Sequence, residues 1–266
     1  MDYTGRVAIV TGASSGIGRQ VAVDLAARGV RTVLVARRKD KLEEVLATVR
    51  PRSPESFFVV ADVAERDTPA RVVRETHERF GRIDILVNNA GISKRKHILR
   101  LTMEEIEHVM RVNFFAAAAF TLEVLPIMRA RGEGYIVNVS SMVGRFGNPR
   151  ESAYCASKFA MTGFAEAAYF DLEPYGIHVG FVNTGPIDTE IWSHDEEPTY
   201  RGKLYPPSVV SAAVFRCIEG RKPEVTAPPL YRLPILLHVL APSLMRFGMK
   251  RTVGGGPLPE PAATKP

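Results

Sequence analysis

The sequence predicts an α/β fold, a doubly wound parallel sheet with helices on both faces, and three observations carry that prediction. Short β-branched runs are apolar throughout rather than alternating, the pattern of strands covered on both sides. Stretches rich in Ala, Glu and Arg, with apolar residues at three- and four-residue intervals, read as helices. The two patterns alternate along the chain, which implies right-handed βαβ units. In order, Val7–Thr11 is the first strand and leads through TGASSGIG into a helix over Ile17–Arg28. Arg31–Ala36 is the second strand, followed by the helix Lys39–Arg50. Phe57–Ala61 and the helix Thr68–Phe80 form the third unit. Ile85–Val87 is followed by a long helix, Met103–Met128, and Tyr135–Ser140 by the helix Ser152–Pro174. Ile177–Val182 is the sixth strand. Nothing before about Leu230 reads as a linker, so residues 1–229 are expected to form one domain. An apolar segment over 230–251 follows, and the Gly- and Pro-rich residues 252–266 are expected to be a disordered tail.

Composition excludes several function classes. Lys and Arg number 35 against 29 Asp and Glu, a net charge of +6, but the basic residues are scattered. A solvated basic surface suits anionic small molecules or membrane faces, and nucleic-acid binding is not expected. Cys155 and Cys217 form neither a disulfide framework nor a metal pattern, so a reducing, cytoplasmic setting is expected. The opening MDYTGRVAIV lacks the features of a secretory signal. The six histidines show no ligand spacing; no metal is expected, and His194 is expected to face solvent.

The glycine-rich stretch TGASSGIG lies at a strand–helix junction. Gly12 would make the turn, while Gly16 and Gly18 open a helix whose free N–H groups and positive dipole end face an anion. The bland alternative is a tight turn with a helix packed closely on a strand. The spacing G-x-x-x-G-x-G also differs from the ordinary dinucleotide fingerprint.

With that loop, NNAG at 88–91, RVNFFAA around Asn113 and IVNVSSMVGRFGNPRESAYCASK, the chain resembles the short-chain dehydrogenases/reductases from about Arg6 to about Thr189. The resemblance implies a Rossmann-type domain that binds a nicotinamide dinucleotide. It assigns the phosphate loop to Gly12, Ser14, Ser15, Gly16, Ile17 and Gly18, and the adenine flank to Asp62 and Val63. Asn89, Ala90 and Gly91 follow the fourth strand, and Ile187 and Thr189 fall at the nicotinamide carboxamide contacts. Asn113, Ser141, Tyr154 and Lys158 take the catalytic positions, the last two also touching cofactor.

Residue chemistry supports the same assignment. Tyr154 and Lys158 lie four residues apart and emerge on one helix face, where an ammonium beside a phenol is expected to lower the phenol pKa. Alone, such a spacing is usually a surface pair. Ser141, thirteen positions earlier at a strand end, changes the odds, since its hydroxyl could hold a substrate oxygen near Tyr154. Ser140 would face the opposite side of the sheet. Asn113 reads either as a helix-interior amide bonding to backbone or, from the resemblance, as the holder of a water between Lys158 and solvent.

Cofactor choice is read at the end of the second strand. The absence of a carboxylate and the presence of Arg37 and Arg38 point to NADP(H), with a guanidinium gripping the extra phosphate. One arginine, Arg38, is expected merely to begin a solvated helix. In FVNTGPIDTEIW, Thr184 stands where the related segment more often has proline; it either loosens the turn or caps it through its hydroxyl. Ile191 to Pro207 is expected to form a mobile loop over the substrate.

The function expected is NADP(H)-dependent oxidoreduction of a carbonyl or secondary alcohol, on an apolar lipid- or steroid-like or a small ketone substrate. The alternative, a catalytically silent NADP-binding regulator or scaffold, has no need for all four catalytic residues. The resemblance further implies a homodimer or homotetramer paired through the two long helices. The segment 230–251, divided by Pro234 and Pro242, is too short to span a bilayer. Its leucines are expected to dock on the substrate cleft as a helical flap, with a peripheral membrane contact as the alternative.

Overall fold

Seven parallel strands form one sheet in the order β3-β2-β1-β4-β5-β6-β7. The computed structural model describes residues 1–192, 200 and 202–252. The strands are β1 (Val7–Thr11), β2 (Arg31–Ala36), β3 (Phe57–Val60), β4 (Ile85–Asn88), β5 (Gly134–Val139), β6 (Ile177–Thr184) and β7 (Glu224–Ala227). The helices are α1 (Gly16–Ala26), α2 (Lys39–Val49), α3 (Thr68–Phe80), α4 (Met103–Met110), α5 (Ala116–Arg131), α6 (Ser152–Leu172), α7 (Ser208–Glu219), α8 (Arg232–Leu240) and α9 (Pro242–Thr252).

The pleat sorts the strand residues into two cores. Ala8, Val10, Leu34, Val87 and Val137 pack with Val21 and Leu25 of α1, Leu42 and Val45 of α2 and Val214 of α7. Ile9, Val33, Leu86, Ile136 and Phe181 pack with Val72 of α3, Phe120 and Val124 of α5 and Ala165 of α6. Both sheet faces are thus covered, which is why the strand sequences carry no polar alternation. Each large aliphatic side chain fully buried in these layers contributes about 1.5–3 kcal/mol.

Four elements depart from expectation. β7 and α7 were not anticipated: β7 is only EVTA, too short for a periodic signal, and α7 is recognised by the apolar face it turns to β6 and β7. The helix expected over Met103–Met128 is interrupted. Thr102 and Glu105 form a capping box at the start of α4, and a π-type turn at Arg111–Phe115 separates α4 from α5. Such a turn inserts one residue into the helical repeat and re-aims the side chains within it, here including Asn113. The whole stretch Met103–Arg131 is long and apolar enough to cross a bilayer by length and composition, yet Phe120, Val124 and Met128 are fully buried against the sheet. The segment 230–251 forms two helices rather than one, broken at Ala241 before Pro242. His194, part of the expected loop 191–207 and the tail from 253 onward lie outside the described residues.

His178 on β6 is enclosed, with Nε2 3.2 Å from the Lys222 carbonyl and 3.8 Å from Cys217 Sγ. Burial, reinforced by Arg221, lowers its pKa from 6.5 to about 4. The unfolded chain therefore takes up this proton near pH 6.5 and the native chain only near pH 4, so stability is lost as pH falls through that window. Chemical denaturation at pH 7 and pH 4.5 should show the wild type weakened at the lower pH by about 2 kcal/mol through this group. The variant His178→Asn should show a smaller difference.

Candidate active site

At the carboxyl ends of the strands, the chain leaves β1 toward β2 on one side and β4 on the other, the switch point where open α/β sheets form a crevice. A cavity of about 1050 Å³ opens there. It runs from Arg37, Arg38 and Asp62, past the glycine loop, to Ser141 and Tyr154, and ends among residues of α8 and α9.

Backbone geometry builds the anion half. Gly12 has φ +66°, and a Cβ there would lie 2.9 Å from Ala90 Cα; Gly16 has φ +54°, and a Cβ there would lie 2.8 Å from Thr189 Cγ2. A Cβ on Gly18 would collide with the Gly12 carbonyl, so this third glycine serves helix–strand packing. Ser15 caps α1 with extended backbone but its side chain caps none of the first-turn N–H groups, leaving them to a ligand. Ser14 and Ile17 complete that wall. Thr11 Oγ1 accepts from the N–H groups of both Asn89 and Ala90, and Asn89 Nδ2 donates to the carbonyls of Thr11 and Gly12, binding the 88–91 loop to the glycine loop. Asp62 and Val63 line the far end with Gly91 and Ile187 along the way. The uncapped helix start, the close glycine approaches and the cavity's length fit a dinucleotide.

The arginines are arranged differently from expectation. Arg38 is the one turned to the glycine loop: its Nη2 donates to Ser14 Oγ at 3.1 Å and Ser15 Oγ at 2.9 Å, and its Nη1 pairs with Glu190 at 2.7 Å. Arg37 instead lies 3.6 Å from Asp62 Oδ2. As N-cap of α2 with extended backbone, Arg38 points back across the crevice rather than along the helix surface.

The side chains expected to be catalytic converge on the other half. Ser141 begins a 3₁₀ turn at the end of β5, where its hydroxyl accepts from Val143 N and lines the cavity with Tyr154. Ser140 Oγ lies 3.0 Å from Thr162 Oγ1, away from the site, as strand alternation requires. Thr184 does act as a local cap: its hydroxyl donates to the Ser140 carbonyl, and its own carbonyl accepts from Ser141, tying β6 to the end of β5. Lys158 Nζ donates to the Val139 carbonyl at 2.8 Å and lies 5.7 Å from the centre of the Tyr154 ring. Asn113 makes the bonds of a backbone-pinning amide: Oδ1 accepts from Ile92 N, and Nδ2 donates to Ile92 O and Ser157 Oγ. It thereby holds the 89–92 loop beside Lys158.

Electrostatics correct one expectation. Burial raises the Tyr154 pKa above the usual phenol value, with the Glu151 carboxylate adding to the rise; Arg95 and the Ser141 hydroxyl oppose it. Burial also lowers Lys158 to about 8. Lysine does not offset the desolvation of this phenol, because the ammonium sits over the ring rather than at the oxygen and is itself disfavoured by burial.

Sequence reasoning missed the buried ion pair beside Tyr154. Arg95 Nε bonds Glu151, whose other oxygen accepts from Asn148 Nδ2 at 3.0 Å, while the guanidinium stacks 4.1 Å from the Trp192 ring. No spacing joins residues 95, 148, 151 and 192; only a charged residue three positions before Tyr154 hinted at it. Glu151→Gln keeps an acceptor for Arg95 but removes the charge that raises the Tyr154 pKa. The alkaline-rising limb of the pH–rate profile for alcohol oxidation should therefore move to lower pH, and an unmoved limb would count against this role.

Fold and site together define a dinucleotide-binding oxidoreductase that acts on alcohol or carbonyl groups. Residues 6–199 match the model of the short chain dehydrogenases. A dehydrogenase/reductase SDR family protein 7-like of Anopheles gambiae is 34% identical over 264 residues, spanning 93% of this chain and 83% of that protein. An 11-beta-hydroxysteroid dehydrogenase 1A of Arabidopsis thaliana is 35% identical, over 92% of this chain and 75% of that protein. A crystal structure of a short-chain dehydrogenase/reductase from Burkholderia phymatum in complex with NAD superposes with a TM-score of 0.83, covering 97% of this chain and 99% of that one at 24% identity, a likeness of fold. The chain belongs to the short-chain dehydrogenase/reductase family.

Proposed function

We propose that the protein is an NADP(H)-dependent oxidoreductase interconverting a carbonyl and a secondary alcohol on an apolar, lipid- or steroid-like substrate. The observation that carries this reading is one continuous cavity with Arg38 and an uncapped helix start at one end and Tyr154, Ser141 and an apolar wall at the other. That wall comprises Val143, Phe146, Leu237, Met245 and Met249, with the Ser93 hydroxyl, which has no hydrogen-bond partner, also facing the cavity. Likeness to the 11-beta-hydroxysteroid dehydrogenase 1A of Arabidopsis thaliana supports a steroid-like class. The bound dinucleotide supplies or accepts the hydride. Ser141 holds the substrate oxygen, Tyr154 gives or takes its proton, Lys158 supports the tyrosine and Asn113 positions the neighbouring loop. Inner residues of α8 and α9 act as a flap that excludes water from an apolar substrate. A panel of steroid, fatty-chain and small ketones followed by NADPH absorbance tests the reading; turnover only of small polar ketones would sink the substrate class.

We also propose an oligomer paired through α4–α5 and α6. Phe115, Leu122, Phe159 and Phe170 project from these helices into solvent, and alanine-rich faces permit close packing. Light scattering at micromolar concentration should give two or four chain masses, and a monomer mass would count against it.

A further inference from the structure

The α8–α9 hairpin has two apolar faces, and the cavity uses only one. Pro234, Leu237, Met245 and Met249 line the cavity, and Ile235 packs toward Val143 and Phe146. The expectation that the segment's leucines would be covered by docking therefore holds for Leu237 alone among its six leucines. Leu233 is 70% exposed, Leu236 53%, Val239 70%, Leu240 73% and Phe247 54%. On α8, residues 233, 236 and 240 fall at three- and four-residue spacing, forming one outward stripe. On α9, Arg246 and Lys250 lie one helical turn apart beside Phe247, and Arg251 stacks 4.5 Å from the Phe247 ring.

The charge is one-sided. Residues 228–252 carry Arg232, Arg246, Lys250 and Arg251 and no acidic residue, against +6 for the whole chain. Leu244 is both 58% exposed and part of the cavity lining, which puts the cavity's rim on this same face.

We propose that the outer face of α8–α9 docks on an anionic phospholipid surface, with the mouth of the catalytic cavity opening at that surface. An exposed leucine stripe flanked by cations meets both demands of a lipid interface, hydrocarbon depth and headgroup charge. A second copy fits less well, because a two-fold pairing of this face would set four cations against four with no carboxylate of the hairpin between them. The cavity placement rests on the oxidoreductase reading; lipid docking does not.

Sedimentation of the full chain with vesicles of phosphatidylcholine alone, or with added phosphatidylserine, tests the docking without any turnover measurement. Wild type should bind the serine-containing vesicles, bind phosphatidylcholine alone weakly, and lose binding as salt rises. The pairs Leu233→Asp with Leu240→Asp, and Arg246→Glu with Lys250→Glu, change exposed residues, and thermal melting checks their fold. Each pair should lower vesicle partition at least about tenfold. Failure of wild type to bind anionic vesicles, or unchanged binding by folded variants, overturns the proposal. So does a result in which the leucine variants leave vesicle binding intact but break an oligomer, since a second copy then covers this face.

Discussion

Replacing Tyr154 by Phe is expected to lower turnover by about 10²–10⁴-fold while leaving dinucleotide binding nearly intact. The ring is buried beside Lys158 and Cys155, and phenylalanine preserves that packing. What disappears is the hydroxyl, and with it the proton route. Water cannot replace it, because burial that raises the phenol pKa also excludes bulk solvent from the oxygen. Steady-state turnover measured beside fluorescence titration of NADPH separates the two effects. A variant that keeps most of its turnover removes Tyr154 from the chemistry, and one that loses NADPH affinity in parallel shows a structural role instead.

Arg38→Asp is expected to weaken NADPH binding by about 100-fold and NADH binding only a few-fold. Arg38 reaches the hydroxyls of Ser14 and Ser15 at the loop where an anion would rest, so the change exchanges a charge-assisted contact for repulsion. Its guanidinium is partly exposed and already paired with Glu190, which sets the estimate below that of a fully buried contact. Arg37→Asp should cost less, because Arg37 faces Asp62 across 3.6 Å rather than the loop. Titrating both coenzymes into all three proteins decides the matter. A wild type that prefers NADH would overturn the NADP reading altogether.

Much of the fold was legible because its signals are local. Six of the seven strands stand out as short β-branched runs, since a strand buried on both faces cannot carry polar residues. The glycine loop was readable for a similar reason: a positive φ at Gly12 and Gly16 and near-contact at Gly18 leave no room for another residue. Strand alternation lets only one of Ser140 and Ser141 face the site, and the thirteen-residue spacing to Tyr154 selects Ser141. β7 escaped because four residues at a sheet edge give no period, and the π-type turn escaped because a one-residue insertion leaves helical composition unchanged.

By itself, then, the sequence determined the doubly wound sheet, the phosphate loop and the Tyr154–Lys158–Ser141 constellation, each set by backbone conformation or by short spacing along the chain. Only the tertiary structure decided which arginine turns to the loop, where the Arg95–Glu151 pair sits, which way the tyrosine pKa moves, and which leucines of the C-terminal hairpin stay exposed. Those outcomes depend on distances between segments far apart in the chain and on how much water each group loses. Electrostatic energies follow separation and desolvation, and neither quantity is written in the order of residues.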